Sequence, residues 1–410
     1  MSVKDVEDSL GLKVCKKQAL VIDRGAGVWV WDVSGEKFLD FTAGWGVTCL
    51  GHSHPLMLSA IQEQSARIIQ NPNSGFTYSP ARAELMLELQ KVLPAGLSRM
   101  FFANSGAEAN DAALKLARKI TGRSKVVSLV GSFHGRTLAT LSVSGGPQNG
   151  ARYLPRVPGQ EFSPYNNCDD LDLVIDNTVA AVIVELIQGE GGVRCLDLAF
   201  VKHVRSLCDR HKCLLIIDEV QTGFCRTGRF FASEYYDVAP DMLTMGKGIA
   251  GGLPFAALVM TENLASAVEL GDHGGTYCGN PLSCAVAAQV TRFLREHNVA
   301  AHVAALGEVA LNDLRQLKAA YPEVVKDVRG LGLMLAIELH RDSQVWPLSD
   351  ECQRAGLLVT PTRNAVVRLL PSLLLTNEEW NAGLERLNHA LAAFVAGCER
   401  NTPALVCGQN

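Results

Sequence analysis

The 410-residue chain is predicted to be an α/β protein: a large lobe built on a mostly parallel central sheet, with a smaller α/β lobe beside it. Three observations lead there. Between about residues 80 and 290, short apolar runs at 126–130, 180–185, 214–218 and 256–260 are separated by helical stretches. Runs that do not alternate with polar residues suit parallel strands covered on both faces. The chain is also longer than a usual single domain, so a second lobe is expected. Finally, strand signals recur at both ends. Residues 28–41 read as strand, Ser-Gly turn and strand, and 334–339, 357–360 and 365–370 follow a series of amphipathic helices. The expected division is therefore an N-terminal part of the small lobe at 1–44, a large lobe at 45–290, and the rest of the small lobe at 291–410.

Composition narrows the class of function. Apolar residues make up 48% and charged residues 20%, as in ordinary soluble proteins with ample core. A net charge of −4 gives no basic face for nucleic acid or for a membrane surface. The twelve cysteines are scattered, and Cys208 and Cys213 do not form a CxxC pair, so reduced thiols in the cytoplasm are expected. The first residues carry Asp5, Glu7 and Asp8 and no apolar core, unlike a secretory or transit leader. No apolar run approaches the roughly 18 residues that span a bilayer. The expectation is a cytoplasmic protein with no nucleic-acid or membrane partner.

Along the chain, His52-Ser53-His54-Pro55 has no nearby Cys or Glu cluster, and a turn is expected there rather than a metal site. Asn104–Asn110 (NSGAEAN) opens a helical pattern. Ser105 and Glu108 stand at capping-box spacing, and Gly106 permits close backbone approach. The free N–H groups and positive dipole end of such a helix form an anion site, although the same motif can simply cap a helix. Ser132–Thr137 (SFHGRT) sets an aromatic ring beside Gly and Arg, either to hold a ring and a carboxylate or merely to turn the chain.

The apolar run 213–217 ends abruptly at Asp218-Glu219-Val220-Gln221. Lys247 is the only charged residue between Met242 and Thr261. An ammonium in such surroundings costs free energy unless it is paired or chemically used, although most lysines reach solvent along their stems. A Schiff-base lysine and a strand-end carboxylate facing a pyridinium nitrogen are what pyridoxal phosphate (PLP) chemistry requires. Gly246–Gly251 matches the dinucleotide pattern G-x-G-x-x-G, but Gly252-Leu253-Pro254 follows where that pattern needs a helix, so it is rejected.

With these blocks in order, the chain resembles the class III PLP-dependent aminotransferases of fold type I. The subgroup it looks most like handles acetylornithine, succinylornithine, ornithine and 4-aminobutyrate. The resemblance spans roughly residues 20–395 and rests on Gly51-His52-x-His54-Pro55, 104–110, 132–137, QGEGG at 188–192, LIIDEVQTG at 215–223, GKGIAGGLP at 246–254, HGGTYCGNP at 273–281 and VVRLLPSL at 366–373.

It implies that Lys247 bonds the cofactor and later moves the proton, and that Asp218 keeps the ring nitrogen protonated. Val220 and Phe133 would lie on the two ring faces, with Gln221 bonded to the phenolic oxygen. Ser105, Gly106 and Ala107 would bind the phosphate together with Thr276 of the neighbouring subunit in a homodimer. Arg136 and Arg368 would receive substrate carboxylates, Glu190 would lie beside Arg368, and Trp45 and Gly275 would border the substrate. The implied reaction moves an amino group from an ω-amine, N-acetylornithine or a close relative, to 2-oxoglutarate, giving an aldehyde and glutamate by a ping-pong route. A 4-aminobutyrate, ornithine or other ω-amine transaminase is the nearest alternative. A racemase or decarboxylase on the same scaffold, or a PLP-binding regulator without catalysis, stands further off. The chain departs from the family pattern at Leu186, where proline is usual, at Cys225, where glycine is common, at Gly275, usually serine, and at Trp45, usually tyrosine or a smaller apolar residue.

Overall fold

The computed structural model describes residues 1–146 and 152–401. At its centre lies a seven-stranded sheet made of β1 (Leu97–Ala103), β2 (Lys125–Leu129), β3 (Gln160–Ser163), β4 (Val179–Val184), β5 (Leu214–Asp218), β6 (Met242–Met245) and β7 (Ala256–Thr261). The spatial order is β1-β7-β6-β5-β4-β2-β3. Every residue of β4 and of β5 is buried, which explains why their sequences show no polar alternation. The helices Gly106–Thr121 and Leu198–His211 supply crossovers into β2 and β5.

One anticipated strand runs against the rest. β7 is antiparallel to both β6 and β1, whereas β3, β2, β4, β5 and β6 pair in parallel. Residues 246–255 hold only one 3₁₀ turn, and a parallel crossover needs about a dozen or more residues, so the chain must reverse there. β1, β3 and β6 were not among the expected strands.

Both ends of the chain build the smaller sheets. Ile22–Ala26, Trp29–Asp32 and Lys37–Asp40 form an antiparallel set, to which Leu357–Leu358 adds in parallel opposite Leu39 and Asp40. The single strand expected at 357–360 is therefore split. Leu357–Leu358 joins the N-terminal sheet, while Thr360–Pro361 pairs with Val366–Leu369 in a second sheet completed by Met334–Leu339 and Val325–Leu331. Phe41 and the fully buried Trp380 stack at 5.6 Å between centroids and tie the two termini together. One apolar cluster runs from Leu39 and Phe41 through Phe224 to Leu335 and Trp380, so large and small lobes share a core. Of the portion expected at 291–410, residues 402–410 lie outside the described residues.

Candidate active site

The carboxyl ends of the parallel strands face one cavity of about 380 Å³, the place where open α/β sheets usually receive ligands. Asp218, the last residue of β5, is 4% exposed. Its Oδ2 accepts from Asn110 Nδ2 at 2.7 Å and from His134 Nδ1 at 2.8 Å, and its Oδ1 accepts the N–H of Val220 at 3.0 Å. Asn110 is fixed in turn by donating to the His134 carbonyl and accepting from Thr244 Oγ1. Three donors thus lock the carboxylate in one orientation at the bottom of the cavity. His134 Nε2 is buried and, among the described residues, has no hydrogen-bond partner.

Lys247 lines the same cavity, on the turn that follows β6. Its φ of 46° lies in the left-handed region that non-glycine residues seldom adopt, a strain found most often at functional positions. Burial of its amino group, reinforced by the positive charge of Arg368, depresses its pKa to about 8, against the pull of Glu190, Glu185 and Asp218. A free amine is therefore accessible near neutral pH.

At the phosphate end, Ser105 Oγ accepts the Glu108 N–H at 3.2 Å and starts the helix Gly106–Thr121. The expected reciprocal arm of the capping box does not close on Ser105. Glu108 Oε2 instead accepts from the backbone N and the Nδ2 of Asn104, at 2.8 and 2.9 Å, because Asn104 offers two donors to one oxygen. The first N–H groups of a helix have no intrahelical partner, and Gly106 and Ala107, at this helix start, line the cavity. A Cβ on Gly106 would meet Val220 Cγ1 at 2.6 Å, so glycine is required for the helix start to approach the floor.

On the substrate side, Glu190 Oε1 and Arg368 Nη1 form an ion pair at 2.7 Å. Burial pushes the Glu190 carboxyl up, but the charges of Arg368, Lys247 and Arg136 outweigh it and hold the group below its ordinary value. Arg368 is 1% exposed and also donates to Gln221 Oε1 at 3.2 Å. Gln221, expected to serve the cofactor's phenolic oxygen, spends its side-chain oxygen on this arginine, leaving its amide nitrogen for that role. Arg136 lies 5.2 Å from the centroid of Phe133, and both line the cavity.

Two participants escaped the sequence reading. His134 sits in the SFHGRT segment, where nothing in the local sequence marks it. Glu185 closes the buried run of β4 as Asp218 closes that of β5, and that parallel was the available signal. Glu185 accepts from the N–H groups of Phe133 at 2.7 Å and Gly189 at 3.2 Å. Burial pushes its carboxyl up to about 7, opposed by His134 and assisted by the negative charge of Asp218.

Three anticipated residues stand apart. Trp45, at φ 65°, is 55% exposed and does not line the cavity. Gly275 and Thr276 border a different cavity of about 670 Å³ with Phe76, Leu270 and His273. The Thr276 carbonyl accepts from Gln70 and Ser74 of its own chain. The rejected G-x-G-x-x-G forms only the 3₁₀ turn Lys247–Ala250 and opens no α-helix, since Gly251 turns left-handed at φ 58°. His52 bonds Asp40 at 2.8 Å and His54 caps the helix Pro55–Arg67, so both imidazoles have structural employment.

A phosphorylated pyridine aldehyde fits this donor set. A helix start cleared by Gly106 suits the phosphate, a locked carboxylate suits the ring nitrogen, and a lysine of depressed pKa suits the aldehyde. Fold and cavity together define a PLP-dependent transferase of fold type I. More narrowly, residues 13–391 match the family model described as aminotransferase class-III, and the chain belongs to that family, whose cofactor is PLP. It is 37% identical over 388 residues to the acetylornithine aminotransferase of Methanothermobacter thermautotrophicus, covering 95% of this chain and 98% of that one. Among solved structures, the ornithine aminotransferase of Toxoplasma gondii, described with PLP at its active site, superposes with a TM-score of 0.88 at 31% identity, covering 97% and 99% of the two chains. The N-acetylornithine aminotransferase of Stenotrophomonas maltophilia gives a TM-score of 0.83 at 34% identity, with 96% and 100% covered. Among the described residues, no helix is long and apolar enough to cross a membrane.

Proposed function

We propose that this aminotransferase takes the amino group of an ω-amine donor, N-acetylornithine or a close N-acyl relative, and delivers it to 2-oxoglutarate, releasing an aldehyde and glutamate. The observation that carries the reading is that Glu190, which lines the same cavity as Lys247, is paired with the buried Arg368 behind it. A ping-pong enzyme must admit two unlike substrates to one site. An ω-amine carries no carboxylate beside the reacting carbon, and Glu190 neutralises Arg368 while it binds. When 2-oxoglutarate arrives, Glu190 moves aside and Arg368 grips the carboxylate through charged, bidentate hydrogen bonds.

PLP, when bound, supplies the electron sink for the pair left on the substrate carbon. Asp218, held by Asn110, His134 and the Val220 N–H, fixes the ring nitrogen and favours its protonated form. Lys247 would hold the cofactor's aldehyde, and its free Nζ would be a base of suitable strength to take up and return a proton at the reacting carbon. Phe133 and Val220 would hold the ring between them, Ser105, Gly106 and Ala107 would hold the phosphate, and Gln221 and Glu185 hold neighbouring groups in place. Thr276, which lines a cavity other than the one at the phosphate end of its own chain, serves the phosphate end of a second copy in a homodimer, and Gly275 and Trp45 border the substrate entrance there.

The names of relatives at 37% identity favour acetylornithine, while the likeness to an ornithine aminotransferase keeps free ornithine as the second reading. The deciding experiment adds N-acetylornithine, N-succinylornithine, ornithine and 4-aminobutyrate separately to the PLP-loaded enzyme and follows the cofactor absorbance, then adds 2-oxoglutarate to restore it. Rapid reaction with the acylated donors is expected. Reaction confined to ornithine or 4-aminobutyrate overturns the donor assignment.

A further inference from the structure

Next to the cofactor cavity, and sharing Phe133 and Arg136 with it, lies a second cavity of about 630 Å³. Arg136, Arg152, Arg363 and Tyr153 line it, and no carboxylate does. Among the described residues none of these three guanidinium groups has an ion-pair partner, in a chain whose net charge is −4. Three like charges gathered around one hollow repel one another, and an anion placed between them relieves that repulsion while accepting charged hydrogen bonds.

The position of Arg363 is built into the fold. It sits in the turn between Thr360–Pro361 and Val366–Leu369, the strand that carries Arg368. Asn364 and Ala365 take left-handed φ values of 60° and 59° in that turn. Asn364 Nδ2 donates to the Gly191 carbonyl, and the Ala365 N–H donates to Asp342 Oδ1. The turn is thus pinned to the loop that presents Glu190. Arg136, lying against Phe133, stands at the junction of the two cavities.

We propose that this second cavity is the donor subsite and that it selects ω-amines whose far end carries two carboxylates. Arg136 takes the one nearer the reacting amine, and Arg152 with Arg363 takes the other. A donor with one carboxylate satisfies Arg136 and leaves the outer pair unneutralised. A dicarboxylic acyl group on the amino-acid end of the donor provides the second anion without changing the reacting amine. The inference rests on the ω-amine reading above and narrows it.

The test compares N-succinylornithine with N-acetylornithine, which differ in the acyl group and its carboxylate but present the same amine. Donor half-reactions are measured with the PLP-loaded wild type, Arg152→Ala/Arg363→Ala, and Arg152→Lys/Arg363→Lys. The wild type should favour the succinyl donor at least about tenfold in kcat/KM. The alanine pair should lose about 10–100-fold on that donor, chiefly through KM, and far less on the acetyl donor, in line with the loss of charged hydrogen bonds. The lysine pair should retain part of the preference, which separates lost charge from lost folding. A wild type that prefers the acetyl donor, or alanine variants that lose both donors equally or neither, overturns the subsite while leaving acylornithine transamination standing. Failure of both acyl donors alongside turnover of ornithine or 4-aminobutyrate overturns both readings.

Discussion

At the end of β5, both oxygens of Asp218 are engaged from within one chain, by Asn110, His134 and Val220, and the group is almost fully buried. The segment around Thr276 is the opposite. Leu270 and Tyr277 lie exposed there, Phe76 across the cavity is exposed as well, and the hydrogen bonds that Gln70 and Ser74 give to Thr276 go to its backbone carbonyl. A carboxylate that must direct charge at a ring has to be immobilised before the ligand arrives, and a buried hydrogen-bond network does that without outside help. In the proposed homodimer, a group intended for a neighbouring copy is not finished by its own chain. The contrast would then separate the chemistry, held within one chain, from the closure of the phosphate and substrate ends.

Several substitutions sharpen that division, beginning with the largest effect. Lys247→Ala should reduce transamination about 10³-fold or more, since both the covalent anchor and the proton carrier disappear. Borohydride reduction of the wild type followed by peptide mapping should place the label on Lys247, and a label elsewhere removes it from the mechanism. Asp218→Asn should keep PLP bound yet slow turnover about 10²–10³-fold, because an amide cannot stabilise a cationic ring nitrogen. Near-normal single-turnover rates would make Asp218 a purely structural residue.

Thr276→Ala is expected to weaken PLP binding by about tenfold, the usual cost of one hydrogen bond to a charged group, without changing the anchoring lysine. Mixing Lys247→Ala chains with Thr276→Ala chains then tests the contrast directly. A hybrid dimer should contain one site with both residues intact and so regain wild-type PLP affinity there, whereas affinity that stays weakened would show that each chain completes its own site.

The smallest effect is in pH dependence. The pKa of Lys247 is depressed to about 8, so the neutral amine that captures PLP is the minor form below that value and becomes dominant above it. Reconstitution of the cofactor-free enzyme should accelerate as pH rises, with a midpoint near 8 instead of above 10. Arg368→Ala removes a neighbouring positive charge and should shift the midpoint upward. A midpoint that stays at the ordinary lysine value would mean that burial does not perturb the amine.

Much of the site was legible in the chain before folding. Lys247 stood alone in an apolar, glycine-rich stretch, and Asp218 interrupted a buried run, and both anomalies mark places where a charge must be used. The helix start at Ser105 was readable for the same local reason, because capping depends on a few adjacent residues. Glu185 and His134 were harder to find, since their significance lies in partners 52 and 84 residues away in sequence, at Phe133 and Asp218. The order of the central strands and the isolation of β1, β3 and β6 as elements were likewise out of reach of periodicity.

Local patterning by itself determined the α/β class, the buried parallel strands and the two residues proposed for the chemistry, because apolar periodicity, capping and an unsupported charge are properties of neighbouring residues. Only the tertiary structure decided that β7 reverses, that 357–360 divides between two sheets, that Glu108 bonds Asn104, and that Glu190 meets Arg368. Those outcomes depend on the length of a connection, on competing donors and on segments far apart in sequence, and each is settled by which partners the packed chain brings within hydrogen-bonding reach.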